Sequence, residues 1–134
     1  MRTPPDTVGG PGTDVESAMA AAVLRESVLG ARRAARRAAE VLRAEGFTLD
    51  EWLVLDTLED GDGLTMSELR EATVTDKATL GRRVDSLATR ALVYREVDGL
   101  DRRVVRVFLS TRGRDVLSHL TTLLAQHRRP GEGG

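Results

Sequence analysis

The sequence contains no cysteine. Disulfides, zinc–thiolate sites and thiol redox sensing are therefore excluded. Aromatic residues make up only 3% of the chain. A core must then be built from Leu, Val and Ala, which suits helices. No apolar run approaches the ~20 residues of a membrane span. The opening stretch, MRTPPDTVGGPGT, lacks the apolar segment of a secretory signal, so a cytoplasmic location is expected. The only histidines are His119 and His127, and neither has an acidic partner at motif spacing. No cluster of His, Cys or carboxylate residues has the spacing of a metal site. Neither an enzyme nor a bound cofactor is expected.

What is present is a soluble, globular composition. The 134 residues are enough for one domain with a real core, 40% are hydrophobic and 31% are charged. The formal net charge of −1 hides an uneven distribution. Residues 46–75 carry eight carboxylates against one arginine, whereas residues 76–114 carry ten basic side chains against five acidic ones. An acidic block followed by a basic one points to a single polyanion-facing surface, or to charges that merely solvate helix faces.

Residues 1–13, rich in Pro and Gly, read as a disordered tail, as do residues 130–134. Residues 14–45 read as one long helix. Leu24, Val28, Ala31, Ala35, Ala38 and Leu42 recur at alternating spacings of four and three, which keeps them on one stripe. Arg32, Arg33, Arg36 and Arg37 fall opposite and read as a solvated face. Gly46 is a stop signal. Thr48-Leu49-Asp50-Glu51 is a capping box, and the helix it opens has Trp52, Leu53, Leu55 and Leu58 as apolar members. Asp60-Gly61-Asp62-Gly63 then reads as a turn, because it lacks the further ligands of a calcium loop.

A second capping box, Thr65-Met66-Ser67-Glu68, opens a short helix ending near Ala72, with Leu64 placed to staple onto Leu69. Thr73-Val74-Thr75 leads into another helix over about 76–89, whose buried stripe is Leu80, Val84 and Leu87. This is the shape of a helix-turn-helix. The period then changes. Residues 91–97 and 103–109 are β-prone and flank the turn signal Asp98-Gly99, which gives a two-stranded hairpin, the wing of a winged helix. Ser110 or Thr111 caps a last helix over 111–129, with Val116, Leu117, Leu120, Leu123 and Leu124 apolar. The expected fold is mainly α with a small β-hairpin wing.

The outer side of the 76–89 helix suits the floor of a DNA major groove. Arginine can bond a guanine edge bidentately, threonine can reach phosphates or bases, and an alanine methyl can meet a thymine methyl. Thr75, Lys77, Ala78, Thr79, Arg82 and Arg83 are the candidate contacts, with Ser86 on the same side. Gly81 sits mid-helix at a cost of roughly 1 kcal/mol against Ala. Close approach to DNA would explain it, and so would tight packing on a neighbouring helix. At the hairpin tip, Arg102 and Arg103 can enter a minor groove. Asp101 would orient a neighbouring guanidinium by a charge-assisted bond.

Between Phe47 and Gly113 the sequence resembles the MarR family of winged helix-turn-helix regulators. The resemblance rests on FTLDEWLVLDTL, LTMSEL, DKATLGRRVDSLATRALV and DRRVVRVFLSTRG, in the family's order and spacing. It implies a homodimer on a pseudo-palindromic operator, a repressor as a rule, often released by a small phenolic or drug-like ligand. Asp101 and Arg103 match the family's Asp-x-Arg wing motif. The partners implied are double-stranded DNA, a second copy of the chain and a small aromatic ligand, with no membrane. The first and last helices would flank residues 46–110 as dimerisation helices, through Leu24, Val28, Ala31, Leu117, Leu120 and Leu124. Trp52 and His119 could line a ligand cleft.

The sequence departs from the family in three places. Val74 and Ala91 stand where the family often has glycine, which leaves room for a small shift of the recognition helix. Only about one helix fits after Thr111 where two are common, so a smaller dimer interface is expected. A rival reading is a winged helix that binds a partner regulator instead of DNA, but Arg102, Arg103 and Arg106 beside an arginine-bearing helix speak for DNA.

Overall fold

The computed structural model describes residues 11–127, so residues 1–10 and 128–134, including the last two of the expected helix 111–129, lie outside the described part. The element order is α1 (Pro11–Ala44), α2 (Leu49–Thr57), β1 (Leu64–Thr65), α3 (Met66–Thr73), α4 (Lys77–Thr89), β2 (Val93–Val97), β3 (Val105–Leu109) and α5 (Thr111–Gln126). The first helix starts three residues earlier than the sequence pattern suggests, at Pro11. Proline suits a first helical position, where its missing N–H would be unpaired anyway. Among the described residues no helix is long and apolar enough to cross a membrane.

The chain divides into two units, one reaching Arg37 and one beginning at Ala38. In the first, α1 exposes Val15, Met19, Val23, Leu24 and Val28. In the second, ten leucines, four valines and Phe47 form an almost wholly aliphatic core. Leu42, Val54, Leu55, Leu58, Leu69, Leu80, Leu87, Val107 and Leu120 are each no more than 1% exposed. The sequence stripe had omitted Val54 and included Leu53, which is only half-buried. Leu117 and Leu120, expected to form a dimer contact, are buried in this core, and Leu124 packs against it. That corrects the expectation for Leu117 and Leu120, whose apolar surface is already covered by their own chain.

The helix starts follow the sequence closely. Thr48, Thr65, Asp76 and Ser110 are the N-caps of α2, α3, α4 and α5. Both capping boxes form, with the threonine hydroxyls accepting from Glu51 N–H at 3.0 Å and Glu68 N–H at 3.1 Å. The sheet has one strand more than the expected hairpin. β1 pairs with β3 through Leu64↔Val107 and Thr65↔Arg106, and the strand order is β1-β3-β2, all antiparallel. Two residues are too few to display a period, so sequence pattern cannot reveal them. Gly113 lets α5 lie against the sheet, since a Cβ there would strike the Leu92 carbonyl.

Helices α1, α3 and α4 end alike. Phe47 N–H reaches Leu42 O at 2.9 Å, Thr75 N–H reaches Arg70 O at 3.1 Å, and Leu92 N–H reaches Leu87 O at 2.9 Å. This is the Schellman pattern, which needs a left-handed residue just before the returning donor. Gly46 supplies it for α1 with φ 85°. The other two ends use Val74 at φ 51° and Ala91 at φ 60°. These are the two positions where glycine was missing, so the backbone keeps the glycine conformation without the glycine. For a side-chain-bearing residue this conformation costs roughly 1–2 kcal/mol, and a β-branched one is a genuine outlier. Val74 is 90% exposed, so its side chain gains little packing in return. Val74→Gly is therefore expected to raise the free energy of unfolding by about 1 kcal/mol, and Ala91→Gly by a similar or smaller amount. Urea titration of the two variants beside the parent checks this, and unchanged midpoints would show that neither position is strained.

Candidate nucleic-acid interface

The second unit carries both elements expected to read nucleic acid. Asp76 starts α4 by accepting Thr79 N–H at 2.8 Å on one oxygen and the Thr79 hydroxyl at 2.9 Å on the other. The Thr79 N–H bond, more than any other contact, holds the Asp76 carboxyl below the usual carboxylate range. Lys77, Ala78 and Arg82 are exposed on the first two turns, and Thr75, Thr79 and Arg83 are half-buried. Arg82 Nη2 lies 3.4 Å from Thr79 Oγ1. The Thr75 hydroxyl donates to Thr73 O at 3.1 Å. Arg83 Nε is buried with no hydrogen-bond partner.

Gly81 separates the two explanations offered by the sequence. A Cβ built there meets nothing within 4 Å. Tight packing on a neighbouring helix is therefore excluded. Gly81 lines a groove of about 350 Å³ with Met66, Ser67, Arg70, Lys77 and Leu80, between α3 and α4.

Ser86 does not join the outer face. Its hydroxyl donates to Glu51 Oε2 at 2.8 Å, and Glu51 is only 4% exposed. The other Glu51 oxygen accepts Thr48 N–H at 2.8 Å, so one buried carboxylate caps α2 and fastens α4 to it. Asp85, on the same helix, forms an ion pair with Arg95 of β2. The roll of α4 is thus set from two sides.

The wing tip is held by its own polar groups. Asp101 Oδ1 accepts Arg103 N–H at 3.0 Å and Arg103 Nε–H at 3.1 Å, and Asp101 Oδ2 accepts from Arg103 Nη2 at 3.3 Å. The Arg103 side chain is nonetheless 90% exposed. The carboxylate therefore aims the guanidinium outward, as the sequence suggested, and Arg103 in turn lowers the Asp101 pKa. Arg102 is exposed beside it.

The contacts that organise this surface are not visible in the sequence, although the residues that make them are. Arg106 joins Asp98 of the wing loop to Glu68 of α3. Those contacts span eight and 38 residues and leave no local pattern. Trp52 and His119, considered as cleft residues, are both engaged. The Trp52 indole N–H donates to Thr121 Oγ1 at 3.2 Å, and His119 Nε2 lies 2.9 Å from Glu45 Oε1. Among the described residues no group of three or more His, Cys, Asp or Glu could hold a metal ion.

The model of the MarR family matches residues 45–104. A MarR-family transcriptional regulator from Silicibacter pomeroyi is 30% identical, with a TM-score of 0.67 over 80% of this chain and 70% of its own. MarR from E. coli, in its apo form, is 25% identical, with a TM-score of 0.72 over 76% of each chain. A mutant of MepR from S. aureus, solved bound to an oligodeoxyribonucleotide, shares the fold at 22% identity and a TM-score of 0.63, covering 79% of this chain and 76% of its own. A search of curated proteins by sequence returns no match. Capped helix-turn-helix, three-stranded sheet, aimed wing arginine and relatives agree, and the chain belongs to the MarR family of DNA-binding transcriptional regulators, which are not enzymes.

Proposed function

We propose that this protein is a sequence-specific repressor acting in the cytoplasm as a homodimer on a pseudo-palindromic operator. The observation that carries the reading is the pairing, on one lobe, of a recognition helix with exposed Lys77, Ala78 and Arg82 and a wing whose Arg103 is aimed outward by Asp101. In this reading α4 enters the major groove and Arg103 the adjacent minor groove. Binding of DNA by the structurally similar MepR mutant supports it.

The apolar residues exposed on α1 support self-association, since a helix showing Val15, Met19, Val23, Leu24 and Val28 to water gains by covering them. With Leu117 and Leu120 in the core, the first helix must supply most of the contact, through Leu24, Val28 and Ala31. Release by a small aromatic ligand would use the groove between α3 and α4, where Met66 and Leu80 offer apolar surface beside the cations Arg70 and Lys77. A ligand there would sit against the recognition helix itself.

Selection from a random double-stranded DNA library at near-physiological salt tests the reading first. The expected result is an enriched inverted repeat with half-sites about one helical turn apart. Arg103→Ala should then weaken binding by roughly 1–3 kcal/mol without changing thermal unfolding. A folded protein that enriches nothing would instead favour a protein partner. Gly81→Ala should act in opposite directions on two measurements. It should stabilise the fold by about 1 kcal/mol, because the site is open and helical. It should also weaken DNA binding if the backbone approaches the groove, and undiminished affinity would remove that role. Leu24→Asp should shift a dimer at micromolar concentration toward monomer in sedimentation, and an unshifted profile would place the interface elsewhere.

A further inference from the structure

The wing projects beyond what the core can hold. Val97 is 56% exposed and Val105 40%, although they pair across the hairpin, and Leu100 is fully exposed at the tip. Apolar packing therefore cannot fix the angle of this segment. Its order comes from polar contacts. Asp98 N–H donates to Val104 O at 2.8 Å, and Val104 N–H donates to Asp101 O at 3.0 Å. Asp98 Oδ1 accepts Leu100 N–H at 2.7 Å. These bonds shape the loop but do not tie it to the rest of the lobe.

The Arg95–Asp85 pair fastens β2 to α4 further back, and at the loop itself the Arg106 side chain makes the tie. Arg106 lies on the central strand, where its register neighbours are Thr65 of β1 and Glu96 of β2. Its Nε donates to Asp98 Oδ2 at 2.9 Å and its Nη1 to Glu68 Oε1 at 3.3 Å. Glu68 Oε1 is the same atom that accepts Thr65 N–H at 2.9 Å to cap α3. A single guanidinium thus touches the base of the wing loop and the first turn of the helix-turn-helix. A planar fork with five donors can face two carboxylates at once, which an ammonium does less well.

We propose that Arg106, clamped between Asp98 and Glu68, is the positioning residue that sets the wing against the helix-turn-helix and so delivers Arg103 to its groove. The inference rests on the reading of the wing as a DNA contact. Arg106 itself need touch no DNA. Because the three groups lie near the surface, the pairing adds little to global stability. Its effect falls on the order of the wing, where few other contacts act.

The conservative variants separate this role from capping and turn formation. Glu68→Gln keeps a capping-box acceptor and loses the charge facing Arg106. Asp98→Asn keeps an acceptor for Leu100 N–H and loses the second charge. In the free protein, Arg106→Ala should speed amide exchange at Asp98 and Val104 by about tenfold, with thermal unfolding nearly unchanged. On the selected DNA, Arg106→Ala should weaken affinity by about five- to tenfold. Hydroxyl-radical protection by the wing should fade, while protection of guanine N7 by α4 persists. Arg106→Lys should restore half or more of the loss, and adding Glu68→Gln to Arg106→Ala should cost nothing further. Unchanged exchange at Asp98 and Val104 would overturn the proposal. So would a full wing footprint in Arg106→Ala on DNA where Arg103→Ala has lost it. Should the parent protein protect no DNA, the wing reading fails instead, and amide exchange still decides the role of Arg106.

Discussion

Each helix begins with backbone N–H groups that have no partner within the helix, and short helices depend on what fills them. Here α2 and α3 are nine and eight residues long, below the length at which a helix holds alone in water. Both are closed by a threonine and a glutamate three residues on. Each glutamate also does a second job. Glu51 reaches Ser86 on the recognition helix, and Glu68 reaches Arg106 on the wing's central strand. The two acceptors that start the helices also tie down α4 and the central strand of the wing. Loss of either carboxylate would loosen a helix start and a reading element together.

The aliphatic core explains why such polar fastening is needed. Leucine and valine exclude water well but carry no directional bond, so they fix the distance between elements better than the roll of a helix. Orientation comes from the rim, through Ser86 to Glu51, Arg95 to Asp85 and Trp52 to Thr121. The left-handed ends at Val74 and Ala91 belong to the same division of labour. The Schellman hydrogen bonds and the core on either side hold these residues in a conformation their side chains disfavour. The helix α4 is therefore bounded at both ends by the left-handed backbone that glycine ordinarily supplies.

The sequence was most legible where the signals are local. Caps at Thr48, Thr65 and Ser110, the stop at Gly46 and the turn at Asp98-Gly99 each declare themselves within a few residues, and they place the helix-turn-helix and the hairpin. Legibility fails with sequence distance. Nothing near Leu64 or Thr65 announces a strand whose partner is some forty residues away. The stripe on α5 shows that Leu117 and Leu120 are covered, but not whether by their own chain or by another. The Asp101–Arg103 pair was visible because its members stand only two positions apart. The Glu68–Arg106–Asp98 cluster was not, because it exists only once the sheet has formed.

The wing also bears on the electrostatics of binding. Its arginines look on paper like a cationic finger, yet Arg103 is matched by Asp101, and Arg106 sits between two carboxylates. Counting Glu68, the cluster of Asp98, Asp101, Arg102, Arg103 and Arg106 is electrically neutral. Such a tip displaces few condensed counterions when it approaches the duplex, so it adds little to the salt dependence of affinity. In the proposed mode of binding, the ionic component would come from the recognition helix, through Lys77, Arg82 and Arg83. The wing would then recognise the width of a groove, and the helix would supply the attraction that brings it there.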